Sequence, residues 1–335
     1  MGLPMRVELK LQTVTPLILG GAEQQPELRP ASVRGALRYW FRAALGGVIG
    51  DDDEALRNLR RGEAEIFGDT ERGSAVVVRL VPPDPDFTPA DEFILPHRSQ
   101  GPVKVVPVDE EFYIILSLRP RANAKALEMA TWSALLLLTL GGLGRRSRRG
   151  GGSLRVKEWS STPVDLLPQD LRECLTRATE IAGDKQVLAN RIGDLLDKMR
   201  SAFTSFLPTA TGGFSGGLPR FSMLLPDTRV VVWTPPGDNA VSPVTVLMNL
   251  LSARAMNRNN FRDGFGGVQP SRRASPLWVT THLLNDDLAL VLTYLKAKIR
   301  ADQRGNTVEG RPSEVTNFLD SLPSVEKVEA HPLVS

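Results

Sequence analysis

Cysteine and histidine are nearly absent from this 335-residue chain: Cys174 stands alone, and His97, His282 and His331 are the three histidines. A single cysteine excludes disulfides within the chain and any cysteine-based metal site, and a zinc centre would need ligands scattered too widely to meet. The expectation is therefore no metal and no cofactor. Long apolar runs are missing as well. The longest, Met129 to Gly144, falls short of the ~20 residues of a membrane span and reads as a buried helix. The opening MGLPMRVELK lacks the apolar core of a secretory signal, so a reduced, cytoplasmic protein is expected. Lysine is scarce too: the cations are 32 Arg and only 9 Lys.

What is present is ordinary in amount, with 41% hydrophobic and 24% charged residues, which excludes collagen-like, disordered and disulfide-scaffold classes. The length suits two domains. The net charge of +3 implies no partner, but the arginine excess does bear on partners. Guanidinium is a planar fork that pairs with phosphates and stacks on bases, whereas lysine is a point charge. A GC-rich genome would give the same excess through codon usage, so position along the chain must decide.

Alternation of Val7, Leu9 and Leu11 with Glu8, Lys10 and Gln12 marks a half-buried strand. A helix capped by Ser32 is expected to about Leu45, stopped by Gly46 and Gly47. A charged helix at Glu54 to Arg61 follows, then strands at Ala75 to Val81 and Phe112 to Leu118. Next come an apolar helix at Ala122 to Leu140 and a strand at Leu154 to Trp159. Residues 1–160 thus read β-α-β-β-α-β, a ferredoxin-like domain. Residues 161–215 form a helical connector, with Leu188, Ile192, Leu195, Leu196 and Met199 at helical spacing.

Residues 216–335 repeat the pattern. Strands are expected at Phe221 to Leu225 and Arg229 to Trp233, and a helix near Pro243 to Met256. Strands at Leu277 to Leu284 and Leu288 to Leu295 are joined by a turn at Asn285-Asp286-Asp287. A helix at Ser313 to Leu322 and a strand at Val325 to Ala330 close the chain. Leu288 to Leu295 could equally be helical by periodicity. The fold class is α+β, tandem ferredoxin-like (RRM-like) domains with a helical connector.

The arginines fall in three clusters. Arg34, Arg38 and Arg42 recur every four residues and form one helical stripe. Tyr39, Trp40 and Phe41 cannot all face the core, so at least one ring should lie near the stripe, as base stacking beside phosphate contacts requires. The plainer alternative is that all three are packing and the arginines a solvated face. The second cluster is GGLGRRSRRGGGS, with Arg145, Arg146, Arg148 and Arg149 and no acid between Gly141 and Lys157. Such unneutralised repulsion suits a loop that meets a polyanion. Gly141, Gly142 and Gly144 would let backbone approach phosphate; the alternative is a disordered loop. It is neither a P-loop nor a dinucleotide fingerprint. The third cluster comprises Arg254, Arg258, Arg262, Arg272 and Arg273.

Catalytic groups are sparse. A metal-independent ribonuclease usually needs a histidine base, and His97 in LPHRSQG is the one candidate in a polar loop beside an arginine. Asp51, Asp52 and Asp53 are adjacent and point apart, a solvated loop rather than a Mg²⁺ site. Binding therefore outranks catalysis.

Five segments carry a wider resemblance: TPLILGGAE (15–23), PELRPASVRGALRYWFRA (26–43), EIFG (65–68), the Gly/Arg loop, and RRASPL (272–277). Together they resemble the RAMP superfamily of CRISPR proteins, and within it subunits of the type III-B (Cmr) RNA-targeting effector. The resemblance implies two ferredoxin-like domains and a non-catalytic place in a hetero-oligomeric ribonucleoprotein. The implied partners are guide (CRISPR) RNA, target RNA and other Cmr/RAMP subunits, with contacts near the 3′ portion of the guide.

By that resemblance Arg34, Arg38, Trp40, Phe41 and Arg42 face RNA and Gly141 to Gly152 is the family's glycine-rich loop. Tyr39, Arg145, Arg146, Arg148, Arg149, Arg258, Arg272 and Arg273 complete the candidate RNA-binding set. The second half departs from the pattern, since Leu322 and Val325 leave no room for a second such loop. No full RNP1 signature occurs, and GFGGV (264–268) is only a partial echo, so backbone and stacking contacts with weak base preference are expected. An endoribonuclease that processes precursor guide RNA and a pure protein scaffold are the alternatives.

Overall fold

The computed structural model describes residues 4–20, 25–82, 86–92, 102–207, 212–235, 275–285, 287–300, 307–308, 312–323 and 327–330. The alternation at the start of the chain builds β1 (Arg6–Thr13), with Val7, Leu9 and Leu11 fully buried. Helices α1 (Pro30–Ile49) and α2 (Asp53–Phe67) follow. Then come β2 (Val76–Val81), an inserted hairpin of β3 (Ala90–Glu92) and β4 (Val103–Val105), and β5 (Glu111–Leu118). The unit closes with α3 (Ala124–Leu140) and β6 (Leu154–Thr162). The sheet order is β2-β5-β1-β6, all antiparallel. Leaving the inserted hairpin aside, the order by appearance is 2-3-1-4, the ferredoxin-like arrangement expected. Helix α3 is buried almost all round, which is why its Leu135 to Leu138 run shows no polar face.

Helices α4 (Gln169–Thr179) and α5 (Lys185–Phe206) lie in the region read as helical. The second sheet contains β7 (Arg229–Trp233), β8 (Leu277–Leu283), β9 (Leu288–Tyr294) and β12 (Lys327–Ala330) in the order β12-β7-β9-β8, the same topology. A short pair, β10 (Ile299–Arg300) and β11 (Thr307–Val308), precedes α6 (Pro312–Asp320). The helix expected near Pro243 to Met256 lies outside the described residues.

Both faces of this second sheet are covered. Val230, Val232, Trp278, Ala289 and Val291 join the main core, while Val231, Trp233, Val279, Leu290 and Leu292 pack on Phe318 and Leu319 of α6. Doubly buried strands read as continuous apolar runs, so the ambiguity of Leu288 to Leu295 resolves as strand. Leu283 faces Leu288 across the expected turn.

Three expectations are corrected. Helix α1 begins at Pro30, with Arg29 at the N-cap and no side-chain cap from Ser32, and it runs through Gly46 and Gly47 to Ile49. Those glycines permit close approach rather than termination: a Cβ on Gly47 would lie 2.0 Å from the Leu224 carbonyl oxygen. For the same reason Phe221 to Leu225 is not a strand. It crosses α1, with the Leu224 N–H donating to the Ala43 carbonyl at 2.9 Å.

The three aspartates are not a solvated loop either. Asp51 is buried and accepts from the Ser215 N–H, the Ser215 hydroxyl and the Arg220 N–H, each at 2.8 Å. Burial alone would raise its pKa, but those bonds outweigh it and hold the carboxyl below the usual range. Asp52 caps α2 at the Ala55 N–H, and Asp53 pairs with Arg220.

Candidate nucleic-acid interface

Three elements meet in a cleft of about 340 Å³. Helix α1 contributes Ser32, Ala36, Tyr39 and Trp40; the glycine-rich loop after α3 contributes Gly142, Leu143, Gly144, Ser147 and Arg148; β8 contributes Trp278. The helical stripe supplies none of its lining and turns instead toward α2. Arg38 and Arg42 both pair with the nearly buried Glu63 of α2, so one carboxylate offsets two guanidinium groups. Arg34 lies one turn earlier, and its Nε is buried without a hydrogen-bond partner.

The aromatic triplet divides as geometry requires. Trp40 and Phe41 are fully buried, Phe41 against Phe67, Phe203 and Phe206. A buried side chain of this size contributes about 1.5–3 kcal/mol to folding. Trp40 and Phe41 thus present no face for a base, contrary to the expectation that they face RNA. Tyr39 is the ring left partly accessible: half-buried, 5.0 Å from Trp278 between centroids, and accepting the Trp278 indole N–H at 2.9 Å.

The glycine-rich loop is neither disordered nor an open phosphate cradle. A short 3-10 turn at Ser147–Arg149 sits between Arg146 and Gly150, both left-handed. The spaces beside its glycines are filled by the protein itself. Gly141 lies against the Trp40 indole, where a Cβ would come within 2.5 Å. Gly142 packs on the Gly151 carbonyl and Gly144 on that of Ile18. The loop clasps β8: the Gly150 N–H donates to Val279 O, the Thr281 N–H to Ser153 Oγ, and Thr280 Oγ1 to Gly141 O. It therefore joins the two sheets and covers the β8 edge.

Its four arginines play different parts. Arg148 donates to Ser275 O at 2.6 Å and stacks over Tyr39 and Trp278. Arg149 reaches Ser275 Oγ; burial, then the neighbouring Arg146 and Arg148, lower its pKa to about 10. Arg146 is lowered by burial and then by Arg145. Arg145 is exposed, bridged to Ile18 through its backbone. Among the described residues, Arg145, Arg146 and Arg148 form no ion pair. Arg258, Arg272 and Arg273 lie outside the described residues, as does His97.

Trp278, which completes the cleft, and Ser275, which holds Arg148 and Arg149, were not among the candidates. The RRASPL segment ends one residue short of Trp278, and that tryptophan beside an arginine pair was the available signal. Two further reactive side chains are buried away from this cleft. Cys174 and His282 border a separate apolar cavity of about 90 Å³ between α4, α5 and β6. Burial pushes the Cys174 thiol up to about 11. It also pushes His282 below its ordinary value, with Nε2 donating to Thr139 O at 2.8 Å. No group of three metal-ligating side chains occurs among the described residues, and none of their helices is long and apolar enough to cross a membrane.

Comparison with known proteins gives a consistent result. Residues 10–155 match the RAMP superfamily. The chain is 33% identical to CRISPR system Cmr subunit Cmr1-2 of Pyrococcus furiosus over 179 residues, 44% of this chain and 92% of that protein. It is 28% identical to Cmr1-1 of the same organism over 198 residues, 53% of this chain; the match spans only 57% of Cmr1-1. The crystal structure of apo Cmr1 from P. furiosus shares the fold, with a TM-score of 0.65 and 23% identity over 97% of this chain and 98% of that one. A chain of a type III-B Cmr-beta complex solved with cognate target RNA also shares it, with a TM-score of 0.59 and 11% identity over 96% and 99%.

Proposed function

The chain belongs to the Cmr1 family of RAMP-superfamily proteins, and from that premise we propose that it is a non-catalytic RNA-binding subunit of a type III-B CRISPR effector complex. It holds guide RNA, target RNA or both near the 3′ portion of the guide, on the face formed by α1 and the glycine-rich loop. One observation carries this reading: Arg145, Arg146 and Arg148, without carboxylate partners among the described residues, stand beside a cleft floored by Tyr39 and Trp278. Cationic side chains that track phosphates next to aromatic faces are the combination by which proteins bind single strands. Among the described residues the cleft is lined by hydroxyls, aromatic rings, backbone, aliphatic side chains and a guanidinium, with no carboxylate or imidazole to serve as a general base. The outward arginines act through phosphate, so base preference is weak.

The test is a salt titration of single-stranded RNA binding to the full chain. Changing Arg34, Arg145 and Arg146 to alanine together should weaken binding about a hundredfold at low salt and reduce the salt slope by about 2. An unchanged slope removes this face from the RNA footprint.

A further inference from the structure

Arg148 occupies an unusual place in the cleft. Its guanidinium lies 4.8 Å from the Trp278 ring centroid and 5.3 Å from that of Tyr39. The two rings are tilted 45° to one another and locked by the Trp278 Nε1 to Tyr39 Oη bond, forming a fixed aromatic floor. Because Tyr39 accepts in that bond, its own hydroxyl proton stays available to a further acceptor. Trp278 is only 6% exposed, and Arg148 is part of its cover.

We propose that the position of the Arg148 guanidinium is a slot for one unpaired nucleobase of RNA, and that Arg148 is a placeholder displaced when RNA binds. The inference rests on the RNA-binding reading above and narrows it from a face to a position. Three features support it. A guanidinium is planar and delocalised, so it imitates a base in stacking on aromatic faces. Arg148 is weakly held for a cation in such a place: among the described residues it has one hydrogen bond, to the Ser275 carbonyl, and no carboxylate. The cleft beside it, about 340 Å³, is at the small end of the ~300–1,000 Å³ range of ligand pockets, a size for one nucleotide rather than several.

The exchange is energetically reasonable. Cation–π contact and base–aromatic stacking are of similar strength, so the balance is set by where the guanidinium goes. Freed from the floor, it reaches an RNA phosphate and makes the charge-assisted bonds that it lacks against Ser275 O. The incoming base would meet the Tyr39 hydroxyl as a donor and the Ser32 and Ser147 hydroxyls along the cleft wall. A base edge presenting an acceptor to Tyr39 fits best.

The experiment uses the full chain and single-stranded RNAs carrying 2-aminopurine at each position in turn, with fluorescence quenching as the stacking signal. The expected result is quenching at one position, lost in Trp278→Leu while phosphate-driven binding persists. Tyr39→Leu serves as the second variant should Trp278→Leu fail to fold. Arg148→Ala, lacking the competitor, should stack the base more fully and bind about threefold more tightly at high salt, where phosphate attraction is screened. Binding without quenching, quenching indifferent to both aromatic substitutions, or weaker high-salt binding by Arg148→Ala overturns the slot but leaves the interface standing. Binding indifferent to Arg34, Arg145 and Arg146 overturns the interface itself, and the slot with it.

Discussion

Two surfaces of the amino-terminal ferredoxin-like unit carry similar numbers of cations and differ in what accompanies them. The outer face of the first sheet presents Lys10, Lys157 and Arg155, together with Arg6, which pairs with Glu8, and the exposed Arg79. Lys10 lies 2.9 Å from Glu111 and 3.6 Å from Glu158, Lys157 lies 3.5 Å from Glu111, and Arg155 donates to Gln12. The glycine-rich loop presents Arg145, Arg146 and Arg148 without an acid partner among the described residues, and Glu63 is the sole acid among them paired into the arginine stripe of α1. In RRM-type domains the sheet face reads RNA through exposed aromatics. Here, among the described residues, Tyr113 is its one large exposed aromatic, and Lys10 and Lys157 form a self-neutralising ladder with Glu111 and Glu158. Counting cations does not locate a polyanion site; counting the carboxylates within reach of each does.

The sharpest way to break this comparison is to remove the cations from each surface in turn. Arg34, Arg145 and Arg146 changed together should cost about a hundredfold in RNA affinity, whereas Lys10, Arg155 and Lys157 changed together should cost less than about twofold. Equal losses in anisotropy titrations would show that the ladder is no barrier to RNA. A second experiment converts one kind of surface into the other. Glu63→Gln removes the carboxylate shared by Arg38 and Arg42. RNA affinity should rise about fivefold as two guanidinium groups become available to phosphate, while folding stability falls by about 1–3 kcal/mol because both lose a nearly buried partner. Chemical denaturation and RNA titration of the same variant separate the two effects, and a loss of affinity would place Arg38 and Arg42 outside the footprint.

Much of the architecture was legible because one-sided burial writes itself into sequence. The alternation of Val7, Leu9 and Leu11 required a sheet with one wet face, and both sheets have the strand order of a βαββαβ unit. Legibility failed where burial was two-sided or contacts were remote. Leu288 to Tyr294 lost its alternation because α6 and the main core cover opposite faces. Gly46 and Gly47 looked like a helix stop, since nothing nearby in sequence announces that Leu224 crosses there.

The candidate site divides the same way. That Tyr39, Trp40 and Phe41 could not share one face followed from ~100° per residue, and Tyr39 is the ring left beside the cleft. That Glu63 would neutralise Arg38, that Arg149 would bend inward to Ser275, and that Trp278 would floor the cleft are facts of tertiary approach. The glycines show the limit most clearly. Their clustering was visible, but whether the room belonged to phosphate or to Trp40 and Ile18 was not.

The smallest effect tests the ladder from the other side, by taking its acid away. Glu111 is held below the usual carboxylate range, first by its hydrogen bond from Lys10 and then by the charges of Lys10 and Lys157. A depressed folded-state value means the ladder's stabilisation is complete at neutral pH and is lost as pH falls below about 4.5 through the lowered value. Wild type and Glu111→Gln should therefore differ slightly in denaturant midpoint at pH 7 and converge near pH 3. Because the group is partly exposed and the pair is screened, the difference in stability should be modest. RNA binding responds in the opposite direction: freeing Lys10 and Lys157 should add at most about twofold in affinity at low salt. A larger gain would mean that the sheet face is held in reserve by Glu111, and that the two surfaces differ by one carboxylate rather than by design.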